Sequence, residues 1–167
     1  VLNKTSGQIY EQMSQMAQLY AQELDNRFLR ISRNLFSTIM DTNETNSTFW
    51  GNVNLMKNGD YSEYAIGKLR EEYFSSAWEY GTEYRIFLYT NDTDKLYQLS
   101  LSSDGNYTMS PEIAASIREQ IDKLDEKAYA VKRKWDVLEC DNEVYICKIA
   151  QKNGIALGCI VNVKSIL

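Results

Sequence analysis

The sequence predicts an α+β domain, and three observations carry that prediction. The stretch from Gln8 to Asp41 has no Gly or Pro and repeats apolar residues in steps of four and three, the pattern of one long helix. Five later segments rich in Ile, Val, Leu, Tyr and Phe are bounded by Asn, Asp and Gly turns, the pattern of strands. A further helical stretch separates the second of these strands from the third.

In the first helix the apolar positions are Ile9, Met13, Met16, Tyr20, Leu24, Phe28, Ile31, Leu35 and Ile39, and Thr5 or Ser6 is placed to cap its start. Some 34 residues rising 1.5 Å each make a rod of about 50 Å. A compact chain of this length has a diameter near 40 Å, so the helix should overhang the body. Gln8, Gln12, Gln15, Gln18 and Gln22 make its first half a polar rod with a thin apolar seam, while its second half has the face of a core helix. That seam predicts a parallel homodimer, weak because Met and Tyr interrupt the β-branched order of a strong coiled coil.

Thr42 to Gly59 reads as a loop, anchored by Phe49, Trp50, Val53 and Leu55. Asp60 and Glu63 form a capping box for a second helix that carries Ala65, Leu69, Tyr73 and Ala77 and ends before Gly81. Tyr84–Thr90 and Lys95–Leu101 flank a hairpin turn at Asn91-Asp92-Thr93-Asp94, and Ser103-Asp104-Gly105-Asn106 is another turn. Ser110 and Pro111 open a helix over 111–127 with Ile113, Ile117, Ile121 and Leu124 on its buried face. Strands at Arg133–Cys140, Glu143–Ala150 and Ile155–Val163 then follow, joined at Asp141-Asn142 and Lys152-Asn153-Gly154. The 167 residues therefore read as a single domain over 1–167: helix or stalk 1–41, loop and second helix 42–83, sheet region 84–167.

Composition removes several function classes. Eighteen Lys and Arg against 23 Asp and Glu leave a net charge of -5, without the basic footprint of a nucleic-acid binder. There is no histidine, which excludes Ser-His-Asp and Cys-His nucleophilic machinery and His-ligated zinc. Cys140, Cys147 and Cys159 match no CxxC spacing; they read as buried thiols on strands, with one Cys140–Cys147 or Cys147–Cys159 bridge as the alternative in an oxidising compartment. The Asn91–Asp94 run lacks the Gly and Glu of a calcium loop, having Leu96 and Ser102 at those positions. Pairs such as Glu71-Glu72 and Asp122/Asp125/Glu126 sit beside Lys and Arg as solvated helix faces. No cofactor motif and no run of about 18 apolar residues is present. Asn3, Asn43, Asn46, Asn91 and Asn106 are glycosylation sequons if the chain is a secreted eukaryotic protein.

On the first strand Arg85, Phe87 and Tyr89 share one face and Tyr84, Ile86 and Leu88 the other. The second set suits packing beneath the long helix; the first would floor a polar pocket in which the Arg85 guanidinium holds a carboxylate bidentately. Trp135 and Tyr89 are candidate aromatic walls, Trp78 a further candidate, and Asp136 a candidate acceptor for a ligand amine. Each has a plainer role as well: Arg85 in an edge ion pair, the two tryptophans in the core, Asp136 in solvent.

Two strands, a helical crossover and a three-stranded meander is the order of a PAS-like sheet. With a long helix in front, the chain resembles the Cache group of bacterial extracytoplasmic sensor domains. Trp135-Asp136-Val137, Asn142-Glu143-Val144-Tyr145-Ile146 and Asn153-Gly154-Ile155-Ala156-Leu157-Gly158-Cys159-Ile160-Val161 are similar to the closing meander of single-Cache sensors of two-component histidine kinases. The resemblance implies a five-stranded antiparallel PAS/Cache-like sheet with the long helix on one face and crossover helices on the other, over a small-ligand cavity. It also implies a non-catalytic fragment, tethered between two membrane spans on the outer face of a bacterial cell. The implied ligand is a small molecule such as an amino acid or carboxylate. The family's amino-acid motif pairs an Arg and Trp-Tyr with a later Asp; Lys132-Arg133-Lys134-Trp135-Asp136 has the residue types without the spacing. The rival expectation is a helical adaptor or assembly protein that works through its long helix.

Overall fold

The computed structural model describes residues 2–41, 48–57, 59, 61–73, 79–124 and 134–167. Its elements are α1 (Leu2–Met40), α2 (Thr48–Lys57), α3 (Ser62–Tyr73), β1 (Arg85–Thr90), β2 (Lys95–Gln98), α4 (Pro111–Lys123), β3 (Asp136–Cys140), β4 (Glu143–Lys152) and β5 (Ile155–Asn162), closed by a 3-10 turn at Val163–Ser165. The strands form one antiparallel sheet in the spatial order β2-β1-β5-β4-β3. The fold is α+β, with a long N-terminal helix and a five-stranded antiparallel sheet.

Helix α1 is continuous from Leu2, so Thr5 and Ser6 lie inside it and neither caps it. Gly7 costs a helix only about 1 kcal/mol, and the turns on either side carry the ladder through it. The helix divides as its sequence pattern predicts. Residues 6–23 are exposed, with Met13 at 61 % and Met16 at 69 %. Ile31, Leu35 and Ile39 are fully buried against the sheet, each burial worth roughly 1.5–3 kcal/mol.

Thr48–Lys57 is helical, where the sequence reading has a loop. Phe49, Trp50, Val53 and Met56 are buried at helical spacing, and Lys57 lies in the last turn, where a cation suits the carbonyl end. Gly59, at φ 78°, donates its N–H to the Met56 carbonyl (3.1 Å) just beyond the helix. The predicted capping Asp60 and Ala77 lie outside the described residues, and α3 runs over Ser62–Tyr73. Helix α4 starts as its sequence predicts: Ser110 Oγ accepts from the Ile113 N–H (3.3 Å), and Pro111 follows.

Strand alternation splits the core in two. Tyr84, Ile86, Leu88, Leu157, Cys159 and Val161 face α1, α2 and α3. Phe87, Cys147, Ile149, Ala156 and Ile160 face Ile113, Ile117 and Ile121 of α4. Register is fixed by two-residue turns with positive φ at both positions, Asp141-Asn142 (52° and 62°) and Asn153-Gly154 (54° and 77°), the geometry whose twist matches a hairpin.

All three cysteines are free thiols; Cys147 and Cys159 are buried on opposite faces of the sheet. Burial pushes both thiols up, and does the same to the phenols of Tyr73, Tyr80, Tyr84 and Tyr145. In each case the folded chain holds its proton to higher pH than the unfolded chain. The stability contribution is therefore complete below the unfolded-state values, about 8.5 for Cys and 10 for Tyr, and is lost as pH rises beyond them. The melting temperature is expected to be flat from about pH 7 to 8.5 and to fall steadily from there to pH 11. Cys147→Ala should melt lower at pH 7 but lose less on going to pH 10. A profile flat to pH 11 would contradict this account.

Candidate functional site

A cavity of about 220 Å³ opens on the α4 face of the sheet, where β1 begins and β5 ends. Arg85, Tyr145, Ile160 and Asn162 line it from the strands, Glu143 from the start of β4, and Ile113 from α4. Thr82, Glu83, Ser103 and Ser165 close its rim. A water molecule's share of liquid volume is about 30 Å³, so the space holds on the order of seven waters or one small organic molecule.

The polar groups here are ordered by one another. Tyr145 donates its hydroxyl to Glu143 Oε2 (3.0 Å), and the same oxygen accepts from Asn162 Nδ2 (2.8 Å). The Asn162 amide oxygen accepts from the Lys164 N–H (3.0 Å), so both ends of that side chain are committed. Burial, and after it the bond to Glu143, push the Tyr145 phenol up, while the nearby Arg85 cation pulls it down. The Arg85 side chain makes no hydrogen bond and no ion pair among the described residues. Among the described residues the edge ion pair is not formed. A half-buried guanidinium with five free donors is suited to a carboxylate or another planar anion.

The other proposed site residues are dispersed. Phe87 is completely buried beneath α4, because Ile113, Ile117 and Ile121 need an apolar partner there. It thereby divides the polar floor expected along β1. Tyr89 lies about 13 Å along the strand from Arg85, in a separate cavity of about 180 Å³ with Asn91, Asp122 and Gln151. Its hydroxyl donates to Asp94 Oδ1 (2.7 Å), which pushes its pKa up. Trp135 is on the α1 face: its indole N–H donates to Ser32 Oγ (3.1 Å) and its ring stands 4.8 Å from that of Phe28. Asp136 is on the α4 face and in the same cross-strand row as Arg85, through Cys147 and Ile160. Three strand spacings, about 14 Å, separate the two. Trp78 lies outside the described residues.

The sequence reading missed Glu143, Tyr145 and Asn162 as site residues. Glu143 and Tyr145 alternate with Val144 and Ile146, a period-two signal that puts a carboxylate and a phenol on one face. Asn162, coming from the next strand, gives no such local sign.

A larger groove of about 500 Å³ runs between α3 and β2, lined by Glu63, Ile66, Arg70, Lys95 and Tyr97. Its arginine is already occupied: Arg70 Nε donates to the Gln98 carbonyl (3.1 Å), and the guanidinium stacks 4.2 Å over Tyr107. Burial lowers its pKa. Among the described residues no cluster of three or more Cys, Asp or Glu could hold a metal, and no helix is long and apolar enough to cross a membrane. No family model, curated protein or solved structure matches the chain.

Proposed function

We propose that this chain is the ligand-sensing, extracytoplasmic domain of a membrane-bound bacterial signal transducer of the single-Cache type, most often a histidine kinase. The observation that carries the reading is Arg85, whose guanidinium has no partner among the described residues, in a cavity otherwise ordered by its own hydrogen bonds. The element order, two strands, a helical crossover and a three-stranded meander behind a long helix, supports it. The ligand is a small molecule with a carboxylate for Arg85; an amino acid would also offer an ammonium to Glu143. Binding acts as a signal only if two arrangements of the domain bind the ligand differently.

The test is a thermal-shift screen of the domain against amino acids, short-chain carboxylates, sugars and divalent metals. A ligand at a hundred times its dissociation constant adds about 2.7 kcal/mol. A shift lost in Arg85→Ala supports both sensor and site. A shift indifferent to that change keeps the sensor and discards the site, and no shift across the library moves the weight to protein contact.

The second reading, an adaptor working through its long helix, is favoured by the exposed seam Ile9, Met13, Met16 and Tyr20. A homodimer through the same seam belongs to the sensor reading as well. In sedimentation, self-association that rises with concentration and disappears in Met13→Glu/Met16→Glu is expected. A strict monomer at high concentration would count against the seam. The cavity at Arg85 favours the sensor over the adaptor, for which that face has no reason to be open.

A further inference from the structure

The cavity and the exposed half of α1 meet at one short stretch of chain. Asn162 and Ser165 form part of the cavity wall; Asn162 caps the Val163–Ser165 turn, and Ser165 is its last residue. Asn162 grips that turn with its amide oxygen, on the Lys164 N–H, and grips the cavity with its amide nitrogen, on Glu143. The next residue, Ile166, is buried; its N–H donates to the Val163 carbonyl (3.2 Å), and its own carbonyl accepts the Tyr20 hydroxyl of α1. Among the described residues, this is the hydrogen bond that ties residues 6–23 of α1 to the body.

We infer that the Val163–Ser165 turn is a coupler: the arrangement of the Arg85 cavity, read by Asn162 through Glu143, sets whether α1 is held at Tyr20. The inference rests on the sensor reading for its purpose, but its geometry belongs to the chain alone. A ligand that engages Glu143 or crowds Ser165 acts on the same bonds that place the Ile166 carbonyl. Asn162 is a positioning residue in this scheme, since it acts through the turn.

Hydrogen exchange of the whole domain tests it. Tyr20→Phe removes the hydroxyl alone and should speed exchange over Gln15–Leu24 about fivefold, the worth of one ordinary hydrogen bond. Glu143→Ala and Asn162→Asp lie on the cavity side and should reach the same level. Asn162→Asp keeps the acceptor for Lys164 while losing the donor to Glu143, so it also covers the case in which Glu143→Ala fails to fold. Glu119→Ala, an exposed change on α4 outside the cavity, should exchange as the parent does. If Tyr20→Phe changes nothing, or if both cavity-side variants keep parental exchange in α1, the coupling is overturned.

Acetate, glycine and succinate serve as probes in a second arm. A probe that raises the melting temperature only when Arg85 is present should also change exchange over Gln15–Leu24. Binding without that change overturns the coupler and leaves the sensor site standing. If none of the three binds, the sensor reading is weakened, and the variant arm still decides the coupler.

Discussion

Gly158→Ala is expected to destabilise the domain by about 3 kcal/mol, at the upper end of what overpacking a core costs. Gly158 is paired with Phe87 across β1 and β5 and with Ile149 across β4. A Cβ there would lie 2.4 Å from Phe87 Cζ, 2.8 Å from Phe87 Cε2 and 2.8 Å from the Lys148 carbonyl oxygen. The phenyl ring cannot retreat, since it is fully enclosed by α4 and the neighbouring strands. For a chain of this size the loss is about 6–12 °C of melting temperature. Phe87→Leu alone should cost about 1.5 kcal/mol by leaving a small void. Together the two should cost at least about 1 kcal/mol less than their sum, because the smaller side chain makes room for the methyl group. Full recovery is not expected, as the Lys148 carbonyl remains. Denaturant unfolding of the four proteins measures this, and strict additivity would mean that Phe87 and Gly158 do not share the space.

The second large effect falls on binding and spares the fold. Arg85→Ala should weaken the binding of any carboxylate that the thermal-shift screen finds by roughly 10- to 150-fold, the range for hydrogen bonds to a charged group. Arg85→Lys should fall between the two, keeping the charge and losing the planar two-donor fork. Both variants should melt within about 2 °C of the parent, because the Arg85 side chain has no hydrogen bond or ion pair among the described residues for the fold to lose. Titration calorimetry with the parent and both variants decides it. Equal affinities would remove Arg85 from the site, and a large loss of stability would show that the residue holds the fold.

Much of the fold was legible in the sequence because its signals are local. The Gln8–Asp41 periodicity marked α1, and the Asp141-Asn142 and Asn153-Gly154 dipeptides marked the hairpins, since these residue types tolerate the positive φ that such turns require. Helix α2 was hidden by its composition. Asn43, Thr45, Asn46, Ser47 and Gly51 spell a loop, yet Phe49, Val53 and Met56 already stand four and three apart. Asn52, a poor helix residue, is accommodated by donating its amide to the Thr48 carbonyl (2.8 Å).

The site was less legible, for two physical reasons. Strand alternation alone separates Trp135 from Asp136, because adjacent residues on an extended chain point to opposite faces; they could not both have lined one pocket. The residues that share the cavity with Arg85 come from across the sheet. Glu143 and Asn162 are 58 and 77 residues further along the chain, brought near it only by the β1–β5 and β4–β5 registers. A periodicity argument made within one strand has no access to such neighbours. It placed Arg85, Phe87 and Tyr89 on a common face, as observed, but had no means of telling which parts of that face α4 would cover.

Tyr20 gives α1 the mechanics of an oar in its lock. From Leu2 to Leu19 the blade runs about 27 Å at 1.5 Å per residue, while the handle beyond Leu24 is gripped by the core. Simple trigonometry then sets the gain: each degree of tilt at the lock sweeps the tip through about half an ångström, by the same rise per residue. Ile39 lies about as far behind Tyr20 as Leu2 lies ahead of it, so motion of the tip with Leu35 and Ile39 held in their seats is a bend of the helix near the lock, and three degrees of bend there carry the far end about one bond length.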